Sequence, residues 1–206
     1  MVGAKKASTS NYDLLLHFDG TNGSSTITDS GKNGLTLTNS GATLSTTGQV
    51  FGSACCSFSG ICSTGVSNVA LTGASDFTVR FRLNASVLVG SKIMNVFGHN
   101  LWIGDFEGYS YIGVYDENYT NSFTFPITIN TQYAVSIERY GATTYLYLDG
   151  TQVASGSLSA PTTSYAFGIQ SSLGGNVFKI DELMLNTTTA LAAGAGSYTV
   201  EVVPFL

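Results

Sequence analysis

The sequence predicts an all-β chain built as an antiparallel two-sheet sandwich, and three observations carry that expectation. Short β-branched or aromatic runs alternate with clusters of Gly, Asn, Asp and Ser, the punctuation of strands joined by turns. In Phe77-Thr78-Val79-Arg80-Phe81-Arg82-Leu83, the residues Phe77, Val79, Phe81 and Leu83 fall on one face, and Thr78, Arg80 and Arg82 on the other. That alternation predicts a sheet with one buried and one wet side. In the run from Thr144 to Ala154, Asp149-Gly150 separates two strand patterns and suits the positive φ values of a tight type I′ hairpin turn.

The elements follow in order. Strands are expected at Tyr12–Phe18, Leu35–Asn39, Ala54–Phe58, Phe77–Leu83, Ile93–His99, Leu101–Gly104 and Tyr109–Tyr115. Six more are expected at Ser122–Phe125, Gln132–Arg139, Thr143–Leu148, Thr151–Ala154, Tyr165–Gln170 and Phe178–Asn186. Tyr133, Val135 and Ile137 share one face of their strand; Tyr145 and Tyr147 face away from Leu146 and Leu148. The single helix candidate is the Ala-rich stretch Thr189–Ala195. Residues 1–10 read as a flexible or assembly-ordered arm, and 11–206 as one sandwich domain ending in an apolar tail, 198–206.

Composition narrows the function. Of 206 residues, 43% are hydrophobic, enough for one core, but only 10% are charged, well below the usual share. Gly, Ser, Thr and Asn carry the polarity, which suits a protein packed into an assembly. The net charge is −5, and no Lys/Arg cluster follows Lys5-Lys6, so nucleic-acid binding is not expected. No segment approaches the roughly 20 apolar residues of a membrane span, so membrane insertion is not expected. The first residues lack the apolar core of a secretory signal; with Met1 as the natural start, general export is not expected either. Cys55, Cys56 and Cys62 are odd in number and form no CxxC pair. Reduced thiols acting as small hydrophobes and a Cys56–Cys62 bridge are the two open readings.

Five segments resemble one family in order. Leu15-Leu16-His17-Phe18-Asp19-Gly20-Thr21-Asn22-Gly23 resembles the opening strand of laminin-G-like, concanavalin A-like domains of bacteriophage tail and virion proteins. Phe51-Gly52-Ser53 with Phe58-Ser59-Gly60 is similar to that family's Phe-Gly and Phe-Asp-Gly strand, with Ser59 in place of Asp. Asp76–Phe81 resembles its central strand, Tyr145–Ala154 its decorating hairpin, and Phe178–Leu183 its closing strand. The resemblance spans residues 12–186. The tail departs in part: Ser197-Tyr198-Thr199 lacks the family's preceding basic residue. The resemblance implies a jelly-roll sandwich of the lectin/glucanase type. It also implies a non-catalytic virion subunit, as capsid decoration, fibre or tail-associated protein, assembled in the host cytoplasm. Other virion proteins and the chain itself, as a homo-oligomer such as a trimer, would be its partners. The arm and the tail residues Tyr198, Val200, Val202, Val203, Pro204, Phe205 and Leu206 would then be attachment segments.

Catalysis is not expected. Retaining glycosidases need two carboxylates about 5 Å apart, and the glucanase spacing Glu-x-Asp-x-x-Glu does not occur. Asp116-Glu117 and Asp181-Glu182 are adjacent, so a regular strand would send them to opposite faces; Asp105 and Glu107 fall in an expected loop. His17 reads as a hydrogen-bonded sheet residue. No cofactor is required, but the resemblance places Asp19 and Asp181 close together at strand ends, where a structural calcium is an open reading beside turn capping. The densest aromatic region is Trp102, Phe106, Tyr109, Tyr111, Tyr115 and Tyr119, with Asp105, Glu107, Asp116, Glu117 and Asn118 interleaved. Core packing, subunit contact and binding of a host surface glycan all suit it.

Overall fold

The computed structural model describes residues 11–60, 62–66, 76–96, 98–106, 109–159, 167–171, 175–187 and 194–200, without the side chains of Cys62, Ser91 and Phe106. The described residues hold fifteen strands and no helix. They are β1 Leu14–Leu16, β2 Thr38–Ser40, β3 Thr43–Ser45, β4 Cys55–Ser59, β5 Cys62–Val66, β6 Phe77–Val87, β7 Ser91–Val96 and β8 His99–Phe106. Next come β9 Tyr109–Tyr115, β10 Ser122–Pro126, β11 Gln132–Tyr140, β12 Thr143–Leu148, β13 Thr151–Ser157, β14 Phe167–Ser171 and β15 Val177–Asn186.

Two sheets form the sandwich. One runs β13-β12-β11-β6-β15-β4-β3, with β1 also on β15; the other runs β10-β9-β8-β7-β14-β5-β2. Every strand pairing is antiparallel. The alternating residues meet between the sheets: Phe77, Val79, Phe81 and Leu83 from β6, and Val135 and Ile137 from β11. Leu146 and Leu148 from β12 join one core with Leu101, Ile103, Ile112 and Val114 of the second sheet. The Asp149-Gly150 turn has φ of 49° and 80°, as a type I′ turn requires. Cys56 lies in the core, whereas Cys55 Sγ points to the Ser45 and Thr47 carbonyls at 3.5 Å. The side chain of Cys62 lies outside the described residues, and with it the Cys56–Cys62 bridge.

Two expectations change. The strands β3 and β5 were not foreseen, because Thr-Leu-Ser and Cys-Ser-Thr-Gly-Val offer little apolar signal. The second face of β6 is buried at Thr78 and Arg80 and only partly exposed at Arg82. Arg80 is 7% exposed, and the facing Ser136 and Glu138 of β11 are fully buried. Arg80 pairs with Glu138 at 3.0 Å, and Ser136 Oγ donates to the same carboxylate at 3.0 Å. The cover is the segment 194–200. Gln152 N donates to Gly196 O (2.8 Å) and Tyr198 N to Gly150 O (2.7 Å). The Tyr198 ring lies 3.9 Å from the Arg80 guanidinium and stands edge-on to Tyr147. Tyr198 is therefore docked on its own sandwich. Val202, Val203, Pro204, Phe205 and Leu206 lie outside the described residues, as do the arm 1–10 and most of the helix candidate.

Candidate functional site

The outer face of the second sheet carries the aromatic residues. Along β8, Leu101 and Ile103 enter the core, so Trp102 between them faces outward; along β9, Ile112 and Val114 do the same for Tyr111, Gly113 and Tyr115. The register pairs Asn100 with Tyr115, Trp102 with Gly113, and Gly104 with Tyr111. Directly opposed residues share a face, so each large ring lies opposite a small or amide residue. A Cβ on Gly104 would sit 2.8 Å from the Tyr111 ring, and one on Gly113 would sit 2.9 Å from the Tyr115 ring. The glycines thus let the tyrosines lie down over the sheet.

Three rings form a triangle. Trp102 and Tyr115 have centroids 5.8 Å apart, Trp102 and Tyr119 5.9 Å, and Tyr115 and Tyr119 6.1 Å. Trp102 stands edge-on to Tyr119 at 89°. Tyr119 is 50% exposed, while Trp102, Tyr111 and Tyr115 are half-buried. Burial, with the nearby Tyr111 phenol and its hydrogen bond, pushes the Tyr115 phenol up to about 12. The indole Nε1 of Trp102 is buried and has no hydrogen-bond partner among the described residues. In a purely structural role that omission costs about 1–3 kcal/mol.

Asp116 sets the position of Tyr119. Its carboxylate accepts hydrogen bonds from Thr120 N (2.9 Å), Thr120 Oγ1 (2.9 Å) and Asn121 Nδ2 (2.8 Å). Its main chain closes the turn: Asp116 N donates to Asn121 O, and Tyr119 N donates to Asp116 O. Tyr119 takes φ 57°, a left-handed value that a bulky side chain adopts only when held there. Burial pushes the Asp116 carboxyl up, but the Asn121 and Thr120 hydrogen bonds outweigh it and bring it down to about 2. Asn100 Nδ2 donates to the Asp116 carbonyl (3.4 Å), and Asn95 Nδ2 to Asn100 Oδ1 (2.9 Å). The turn is thereby tied to β8 and β7.

The sequence singled out Trp102, Tyr111, Tyr115 and Tyr119, and the structure brings them onto one face. Tyr109 is 74% exposed at the β9 end. The side chain of Phe106 lies outside the described residues. The core reading fails for Tyr111 and Tyr115, since Ile112 and Val114 fill the inner positions. Lys92 was missed: it lies directly opposite Trp102 on β7. No local motif marks a single lysine, and only the strand register reveals it.

The acidic residues lie elsewhere. A bulge interrupts β15 between Asp181 and Met184, with Glu182 at φ 47°. Ile180 and Leu183 both enter the core, so the two carboxylates between them do not alternate faces as a regular strand would demand. His17 Nδ1 lies 3.0 Å from both Glu182 oxygens; that hydrogen bond raises the His17 pKa against the opposing effect of burial. Asp181 Oδ2 accepts from Val50 N (2.6 Å) and Phe51 N (3.0 Å), and Oδ1 from Glu182 N (3.0 Å). Burial nonetheless pushes Asp181 up to about 6. Asp19 accepts from Ser53 N and Ser53 Oγ. Both Asp side chains therefore anchor the 50–53 turn, the turn-capping role the sequence allowed them. Among the described residues no group of three or more His, Cys, Asp or Glu is arranged to hold a metal.

No protein-family model matches the chain, and no curated protein does. Solved structures do. The chain is similar to the binding domain of botulinum neurotoxin serotype D, with TM-score 0.64 and 14% identity over 86% of this chain and 48% of that one. It thus spans about half the length of that protein. It is similar to domain 4 of AbnA, a GH43 extracellular arabinanase from Geobacillus stearothermophilus solved with arabinotriose, with TM-score 0.56 and 10% identity over 79% and 87% of the two chains. It is also similar to a glycosyl hydrolase family 16 protein from Mycobacterium smegmatis, with TM-score 0.55 and 14% identity over 85% and 100%. At such identities the likeness concerns fold. The chain has the jelly-roll β-sandwich fold of the lectin/glucanase type.

Proposed function

We propose that the chain is a non-catalytic glycan-recognition module that binds sugar on the Trp102–Tyr115–Tyr119 face. The ring triangle on an outer sheet face carries this reading. Aromatic faces stack on the apolar side of a sugar ring, and the surrounding hydroxyls and amides supply its hydrogen bonds. Ser122 and Thr124 border the rings on β10, opposite Tyr115 and Gly113. The non-catalytic reading is supported by the tightly hydrogen-bonded state of Asp116 and by the commitment of Asp181 and Glu182 to a turn and to His17.

The resemblance to virion proteins and the sparse charge support a virion as the place where this module works, in contact with neighbouring subunits. Its location and copy number in a purified particle would test that setting. On a glycan array the native chain should bind a defined set of glycans, and Trp102→Ala should lose them while keeping a cooperative melt. Array binding unaffected by Trp102→Ala would overturn the reading. Release of reducing sugar from a bound polysaccharide would overturn its non-catalytic part.

A further inference from the structure

We propose that the glycan taken by this face carries a negative charge, as a uronate carboxylate or a sulfate ester, and that Lys92 reads it. The inference rests on the Trp102 face being a glycan site.

The placement comes from register. Lys92 opposes Trp102 directly across β7 and β8, so the two side chains share the outer face. The bulge between Lys92 and Met94 takes up one extra residue, Ile93. Ile93 and Met94 are both buried in the core. Lys92 is left at the edge of the ring cluster, in the row that continues through Trp102, Gly113 and Thr124.

The charge of Lys92 has no answer within the described residues. The other described cations are engaged. Lys32 pairs with Asp13 at 2.7 Å and Arg80 with Glu138 at 3.0 Å. Arg139 donates to the Leu158 carbonyl, Lys179 to Thr47, and Arg82 lies over the Phe51 ring. For Lys92 no carboxylate or carbonyl lies within bonding distance among the described residues. It is half-buried, and burial lowers its pKa. The buried Asp116 carboxylate already accepts three hydrogen bonds from its own turn.

A half-desolvated ammonium with no counter-ion among the described residues is relieved by an incoming anion. Stacking on rings is nearly indifferent to ligand charge, so the lysine supplies the discrimination. In a chain of net charge −5, long-range attraction for anions is absent, which confines the preference to this one contact.

The test is titration calorimetry with hexagalacturonate, its fully methyl-esterified form, a heparin hexasaccharide and cellohexaose. Native chain, Lys92→Gln, Lys92→Arg and Trp102→Ala are compared, each checked by thermal melting. The native chain should bind hexagalacturonate or the heparin fragment about tenfold or more tightly than the neutral sugars, the scale of one charge-assisted hydrogen bond. Tighter binding of hexagalacturonate assigns the charge to a carboxylate, and of heparin to a sulfate. Lys92→Gln should close the gap and Lys92→Arg should keep it. The native preference should also shrink as salt rises, a readout independent of any variant. Equal native affinities, a gap that persists in Lys92→Gln, or a salt-insensitive gap would overturn the role of Lys92 and leave the ring face as a glycan site. Binding that survives Trp102→Ala, or no binding to any of the four sugars, would overturn the ring-face reading and this inference with it.

Discussion

Asp116 is the residue on which the candidate site hangs. It was visible in the sequence as one half of an acidic pair, but its role is structural: it folds the turn that presents Tyr119. The tool was the short polar run Asp116-Glu117-Asn118-Tyr119-Thr120-Asn121, whose Asx and Thr residues favour local side-chain to backbone hydrogen bonds. Asp116→Ala removes three acceptor contacts and should destabilise the chain by about 1–3 kcal/mol in urea denaturation; an unchanged midpoint would contradict the assignment. The pH dependence has a definite sign. A carboxyl held below its unfolded value contributes stability above that value and loses it on protonation. The Asp116 contribution should therefore be full at neutral pH and fall away between 3.8 and about 2. Asp116→Ala should flatten the stability curve in that interval.

Alternation read the core faces of β6, β11 and β12 correctly at the scale of elements, because a strand sends successive side chains to opposite sides. It could not say what covers the second face. That depends on the segment 194–200, distant in sequence, which places Tyr198 over Arg80 and against Tyr147. The sequence showed Tyr198 only as part of an apolar tail. The structure makes it the lid of the buried Arg80–Glu138 pair. Tyr198→Ala should therefore lower stability by about 1–2 kcal/mol through the lost ring contacts. Deleting residues 198–206 should cost at least as much, measured by chemical denaturation. A truncated chain as stable as the native one would show that the segment does not hold the sheet. The short strands β3 and β5 were illegible for the opposite reason: they are polar and brief, and only pairing with β4, β2 and β14 defines them.

Across the whole molecule, the sandwich was legible because hydrophobic period and turn chemistry agree along most of the chain. The candidate site was half legible. Its rings stand out by composition, yet which face they occupy depends on β8 and β9 presenting Leu101, Ile103, Ile112 and Val114 inward. Lys92 needed the register of a third strand. The fold itself leaves function open, since it serves binding domains and hydrolases alike. The chain contains one Trp, and it lies in the ring triangle, so the site carries its own reporter. The most direct test is to titrate the native chain with the glycans selected on an array and follow Trp102 fluorescence. The account predicts a saturable change whose midpoint matches the calorimetric affinity. Glycan binding that leaves the Trp102 emission untouched would contradict it.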